Sequence, residues 1–175
     1  MSSKLKNLSD FSHVEDIPHA GKMRIGIVVS EWNTEITSAL LAGATSTLLK
    51  YGCLEKNLHI VKVPGSYELV VGAQLLGLDK DIDGVICLGC VIQGETKHFD
   101  FICQAVANGL IHLSLDIKKP VVFGVLTTNN MTQALARSGG KHGNKGDEAA
   151  LTAIKMVALL KPHRLKHKKN KNSPN

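Results

Sequence analysis

Most of the side chains in this chain that can do chemistry fall in a few short stretches. Glu31-Trp32-Asn33 offers an indole, and Pro64-Gly65-Ser66-Tyr67-Glu68 a hydroxyl, a phenol and a carboxylate. Val91-Ile92-Gln93-Gly94-Glu95-Thr96-Lys97-His98 offers backbone amides, a hydroxyl and one imidazole. Thr127-Thr128-Asn129-Asn130 adds further polar groups. Trp32 is the only tryptophan in a chain that is 4% aromatic. At a strand end, its indole either stacks on a planar heterocycle or simply covers the sheet. Gly94, Glu95 and Thr96 precede a helix, where free amides and a hydroxyl favour an anion; the plain alternative is an ordinary helix cap. His98 follows in the first turn, placed for proton transfer or simply solvated. Arg137 and Lys145 flank the glycine-rich run Ser138-Gly139-Gly140-Lys141-His142-Gly143-Asn144-Lys145-Gly146. Two cations around such a turn suit a phosphate, or again a solvated surface. The ensemble describes a pocket with an aromatic face, backbone donors, one proton carrier and a phosphate end.

Other chemistries find no support. The chain has no G-x-x-x-x-G-K-[ST] and no G-x-G-x-x-G, the runs that cradle triphosphates and dinucleotides. It also lacks H-E-x-x-H and G-x-S-x-G. Cys87 and Cys90 form a C-x-x-C, but inside the apolar run Gly84-Val85-Ile86-Cys87-Leu88-Gly89-Cys90. A buried strand is a poor setting for a redox pair, and two cysteines supply half a zinc site. Packing is the expected role of these thiols, and no metal is expected.

These groups need elements to position them. Arg24–Ser30, Leu58–Val63, Gly84–Cys90 and Pro120–Leu126 are short apolar runs that suit strands of a parallel sheet. Between them lie helical patterns. Asn33 can cap a first helix with Ile36, Leu40, Ala44 and Leu48 at every fourth position. A second helix is predicted from Ser66, a third over Thr96–Asp116, a short one over Met131–Ser138 and a last over Asp147–Leu160. Strands alternating with helices imply right-handed crossovers with helices on both faces. The expected architecture is a three-layer α/β/α sandwich on a four-stranded parallel sheet of flavodoxin-like type. In such sheets ligands sit beyond the carboxyl ends of the strands, where the polar stretches fall.

The 175 residues suit one domain, expected at 22–160 after a flexible lead-in of 1–21. The net charge of +6 invites a nucleic-acid partner. Position changes that inference. Six of the 21 Lys+Arg lie in residues 161–175, a stretch with no acid, so residues 1–160 balance 15 basic against 15 acidic groups. The excess belongs to a basic tail, expected to be disordered. It has no aromatic interleaving, which argues against sequence-specific nucleic-acid binding. No apolar run reaches the ~18 residues that cross a bilayer, and no secretory leader is visible. A cytoplasmic protein without membrane partners is expected.

The same stretches, taken in order, resemble the 6,7-dimethyl-8-ribityllumazine synthase family. The matching pieces are Trp32-Asn33, Val63 to Glu68, Gly89 to Asp100, Val122 to Thr128, Gln133 to Arg137, and Gly143-Asn144-Lys145-Gly146 with Glu148-Ala149-Ala150. The resemblance spans about residues 22–160. It implies a transferase of riboflavin biosynthesis. That enzyme condenses 5-amino-6-(D-ribitylamino)uracil with 3,4-dihydroxy-2-butanone 4-phosphate, giving the lumazine, phosphate and water, with no cofactor. It assigns the pyrimidine stack to Trp32 and the ribityl loop to Ser66 and Glu68, with Asn33, Gly65, Tyr67 and Gln93 beside the substrates. Val91 and Ile92 take the uracil edge, Gly94, Glu95, Thr96 and Arg137 the phosphate, and His98 the proton. Phe123 and Lys145 line the pocket from an adjoining subunit, which implies a homo-oligomer, a pentamer or a 60-subunit shell. The turn Gly139–Gly146 carries no insertion, which is compatible with a shell. Trp32 stands where many relatives have Phe, and Gln93 where many have Lys or Arg. The competing readings are a non-catalytic flavin or lumazine carrier on the same scaffold, and a nucleic-acid module carried by the tail.

Overall fold

The computed structural model describes residues 10, 11 and 16–171, with side chains through Lys161. Ile25–Ser30 forms β1, buried at every position. The chain then alternates: α1 Thr34–Lys50, a 3-10 turn at Glu55–Asn57, β2 Leu58–Val63, α2 Leu69–Leu78, β3 Gly84–Ile92, α3 His98–Ile117 and β4 Val121–Thr128. A short α4, Met131–Ala136, leads into the small hairpin of β5 Ser138–Gly140 and β6 Gly143–Asn144, and α5 spans Lys145–Lys171. The four long strands are parallel in the order β2-β1-β3-β4. The expected α/β/α sandwich is therefore observed.

Each face of the sheet builds its own core. On one, Ile25, Ile27 and Val29 of β1 and Ile86, Leu88 and Cys90 of β3 meet α1 and α5. All four expected α1 positions, Ile36, Leu40, Ala44 and Leu48, are fully buried there. On the other, Val28, Val85, Cys87 and Val125 meet Leu69 and Ala73 of α2 and Val106, Leu110 and Leu113 of α3. Period-two alternation along a strand explains the split. It also puts Cys87 and Cys90, three apart, on opposite faces. β2 departs from the two-face burial expected of it: only Val63 is buried. It is an edge strand, so His59 and Lys62 are tolerated.

Several element ends differ from the sequence expectation. β3 and β4 each extend two residues further, because Val91 pairs with Thr127 and Ile92 with Thr128. The second helix starts at Leu69, not Ser66, and the third at His98, not Thr96. The glycine-rich run is a tight hairpin with positive φ at Gly139 and Gly143, not a bare turn. Packing begins before residue 22: Ala20 is buried and donates its N–H to Tyr51 O at 2.8 Å. At the other end, Lys161 is tied to the body through Asp83 Oδ2 at 2.8 Å and Lys22 O at 3.0 Å. Helical backbone continues across Pro162 to Lys171, ten residues beyond the point where a disordered tail was expected. Residues 1–9, 12–15 and 172–175, which hold the rest of the expected lead-in and tail, lie outside the described residues.

Gly146 opens α5 where that helix crosses α1. A Cβ there would fall 2.0 Å from the Leu40 carbonyl oxygen, a backbone atom that cannot swing aside. Gly146→Ala is expected to destabilise the protein by about 3 kcal/mol or more, read as a lowered urea midpoint. A midpoint within experimental error of the parent would show that α1 and α5 can separate freely.

Candidate active site

The loops beyond β1 and β2 are knitted together by the backbone. Glu31 N–H donates to Val63 O at 2.8 Å and Trp32 N–H to Pro64 O at 3.0 Å. The indole of Trp32 is left 67% exposed. Its ring lies against Gly65, where a Cβ would sit 2.9 Å from Trp32 Cε3 and 3.0 Å from Glu68 Oε2. A side chain at Gly65 would therefore press on the indole and on Glu68. Glu68 turns back to accept the Gly65 N–H at 3.0 Å, so one carboxylate oxygen is already used to hold this loop. Ser66 is buried under Gly89, while Tyr67 is exposed. Asn33 stands at the position before α1 but does not cap it. Its backbone is left-handed, and its Nδ2 donates across the loop to Cys90 O at 2.9 Å.

The end of β3 supplies the second wall. Val91 and Ile92 are half-buried on the strand itself, and Gln93 N–H donates to Thr128 O at 2.8 Å. Gly94, Glu95, Thr96 and His98 are all exposed. Nothing would obstruct a Cβ at Gly94, which leaves that bend open to a ligand. The residue before α3 is Lys97, and Thr96 Oγ1 accepts the N–H of His98, the first helical residue, at 3.4 Å. Trp32, Asn33, Gly65, Ser66, Tyr67, Glu68, Val91 and Ile92 therefore hang from three adjacent strand ends, with His98 just beyond.

Arg137 and Lys145 belong to a different corner. The β5–β6 hairpin folds the chain back so that Lys145 N–H donates to Arg137 O at 2.8 Å. Arg137 donates one guanidinium nitrogen to His142 O at 2.7 Å and another to Glu148 Oε1. Lys145 Nζ takes Glu148 Oε2 at 3.2 Å. One carboxylate thus serves both cations, and all three side chains are mostly buried. A cavity of about 400 Å³ opens beside them along the β4 edge, lined by Phe123, Lys145, Glu148, Thr152 and Met156 among others. Sequence alone would assign Glu148, an acid in the first turn of a helix, to the helix dipole. The signal was there: an acid three residues after Lys145, in the first turn of a helix.

The C-x-x-C is a packing feature. Both thiols are buried on opposite faces of β3 and free. Burial raises both above their ordinary value, Cys90 to about 11. Among the described residues no group of three or more His, Cys, Asp or Glu is placed to hold a metal, and no helix is long and apolar enough to cross a membrane.

Loops converging beyond the carboxyl ends of a parallel sheet, with an exposed ring and a separate cationic corner, define an α/β protein with the crevice in which open parallel sheets hold ligands. Residues 22–161 match the model of the family described as 6,7-dimethyl-8-ribityllumazine synthase. A relative of that name from Cytophaga hutchinsonii is 58% identical over 158 residues, covering 90% of this chain and 98% of its own. Relatives of the same name from Parabacteroides distasonis and Porphyromonas gingivalis are 50% and 48% identical, covering 90% and 91% of this chain and 98% of each of theirs. The chain belongs to the 6,7-dimethyl-8-ribityllumazine synthase family.

With Cys90 raised to about 11, roughly a thousandth of it is thiolate at pH 8. A thiol reagent at that pH is expected to leave Cys87 and Cys90 unlabelled until denaturant is added. Rapid native-state labelling of either would mean that the β3 end opens.

Proposed function

We propose that this chain makes 6,7-dimethyl-8-ribityllumazine through the two groups of side chains described above, brought together between neighbouring copies. The reaction joins the 5-amino group of the ribitylaminouracil to the ketone of dihydroxybutanone phosphate as an imine. The imine forms with loss of one water; phosphate is then eliminated, the enol left behind tautomerises to a ketone, and the ribitylamino nitrogen closes the second ring on that carbonyl with loss of a second water. Its demands are a flat seat for the pyrimidine, a hold on the phosphate and a group that moves protons. The observation that carries the reading is the exposed indole of Trp32, seated on the Gly65 backbone at the end of the sheet.

In this reading Trp32 stacks on the pyrimidine, with Asn33, Tyr67 and Gln93 around it. Backbone groups of Val91 and Ile92 meet the uracil edge, and the Gly65-Ser66-Glu68 loop takes the ribityl hydroxyls. Gly94, Glu95 and Thr96 face the phosphate together with Arg137. His98 shuttles the proton from the exposed first turn of α3. Phe123 and Lys145 close the pocket from the next subunit.

A shared site is supported by where the two groups hang. The Trp32 group rises from the ends of β1, β2 and β3, whereas Arg137 and Lys145 sit on the hairpin and first turn of α5 by the β4 edge. The outer surfaces point the same way. Val71, Leu75 and Leu78 of α2 and Phe101, Ile111 and Leu115 of α3 are all more than half exposed. With Leu69 and Ala73 buried beneath, α2 is apolar on both sides, as expected of a helix covered by a partner. A pentamer of the chain fits these features, and the tight β5–β6 turn is compatible with a 60-subunit shell. A cytoplasmic location fits the free buried thiols.

Mixing both substrates and following lumazine absorbance tests the catalytic reading, which fails if the protein adds nothing to the spontaneous rate. His98→Ala is expected to lower kcat about 100-fold with little change in KM; an unchanged kcat would remove His98 from proton transfer. Arg137→Ala should raise the KM for the ketone phosphate about 10- to 100-fold and spare the pyrimidine. Equal losses for both substrates would remove its phosphate role. Light scattering should give the mass of five chains or a multiple of five, and a monomer would overturn the shared site.

A further inference from the structure

Between β1 and β3 the strand order reverses, and such a crevice is where open parallel sheets hold their ligands. β1 pairs with β3 only as far as Val29 opposite Leu88. β3 continues to Ile92, held on its other flank by β4. The last residues of β3 thus run past β1 with one side free of a neighbouring strand. The side chain of Asn33 reaches that side. Its Nδ2 donates to Cys90 O at 2.9 Å, beyond the last pair of the β1–β3 ladder. A side-chain amide here does the work of one more ladder rung.

The backbone of Asn33 makes this possible. At φ 59° and ψ 46° it is left-handed, a conformation Asn accepts far more readily than most residues with a side chain. That single reversal turns the chain out of β1 and into α1, with the Asn33 carbonyl taking the N–H groups of Ile36 and Thr37. It leaves the preceding residue, Trp32, outside the turn. There its N–H is bound to Pro64 O and its ring lies on Gly65. The indole is thus anchored to β2 through its own backbone and to β3 through Asn33.

We propose that Asn33 is a positioning residue, which fixes the gap between the Trp32 indole and the Val91–Ile92 edge of β3 and so sets the fit of the pyrimidine ring. The inference rests on the lumazine-forming site and assigns Asn33 a role in it. Its amide works through Trp32 and β3, with one of its two N–H groups committed to Cys90 O.

Two substitutions separate the parts of this arrangement. Asn33→Asp keeps the size and the left-handed backbone but sets a carboxylate oxygen against a carbonyl oxygen. Asn33→Gly keeps the backbone and removes the tie. Circular dichroism and a urea midpoint establish that each variant is folded; if the Asp variant is not, the Gly variant carries the test. Both are expected to raise the KM for the pyrimidine about fivefold to tenfold, with the KM for the ketone phosphate held within about twofold. Because Trp32 is the only tryptophan, its emission reports the indole alone, and acrylamide should quench it more strongly in both variants. A parental pyrimidine KM with parental quenching overturns the proposal. So does an equal rise in both KM values, which marks a general disturbance. If the parent protein forms no lumazine above the spontaneous rate, the reaction is wrong, and quenching still decides whether Asn33 holds the indole.

Discussion

β1 and β3 lie side by side in the middle of the sheet, and both are packed on both faces; the other elements take their places from that pairing. A strand buried on two sides has no room for charge, so the polar work of the protein is pushed off its ends. The connection from β1 goes to one neighbour and that of β3 to the other. Their loops therefore part at the carboxyl end and leave a crevice. Trp32 stands on one lip of this crevice, while Val91 and Ile92 form the other. The site is a consequence of strand order before it is a matter of individual side chains.

The layers were legible because burial leaves a periodic trace. Four apolar runs marked four strands, and Ile36, Leu40, Ala44 and Leu48 marked the apolar part of the buried stripe of α1, which Thr37 and Thr47 complete. The polar stretches after each strand were legible for the same reason, since an open parallel sheet allows ligands in few places. Element ends were less legible. Val91-Ile92 and Thr127-Thr128 read as loop when taken singly, and only their mutual pairing makes them strand. The hairpin at Ser138–Asn144 was hidden in glycines that read equally well as a turn.

The task given to each polar side chain was the least legible feature. Asn33 has the sequence look of a helix cap, yet its amide crosses to β3. Glu68 looks free to meet a ligand, yet it braces the Gly65 turn. Glu148 looks like a dipole-compensating acid, yet it pairs with Arg137 and Lys145. The Glu68 and Lys145–Glu148 bonds are local, three residues apart, whereas Asn33 meets Cys90 across 57 positions, only because the loops close over the sheet. Local propensity carries no record of that distance. Composition misled in a similar way: a net charge of +6 describes the whole chain, while residues 1–160 are balanced.

That balance has a local counterpart at the cationic corner. Arg137 and Lys145 share Glu148, so the three groups together carry one positive charge, not two. The guanidinium is held on one side by His142 O and on the other by the carboxylate. In the reaction proposed above, a phosphate ester arriving there would meet a donor that is already oriented, which spares part of the ordering cost of binding. It also meets a carboxylate competing for the same cations, which weakens the hold. Both effects suit a reaction that must grip a phosphate while a carbon–oxygen bond breaks and then release it free. In that reading the acid in the first turn of α5 tempers the hold of the two cations it bridges.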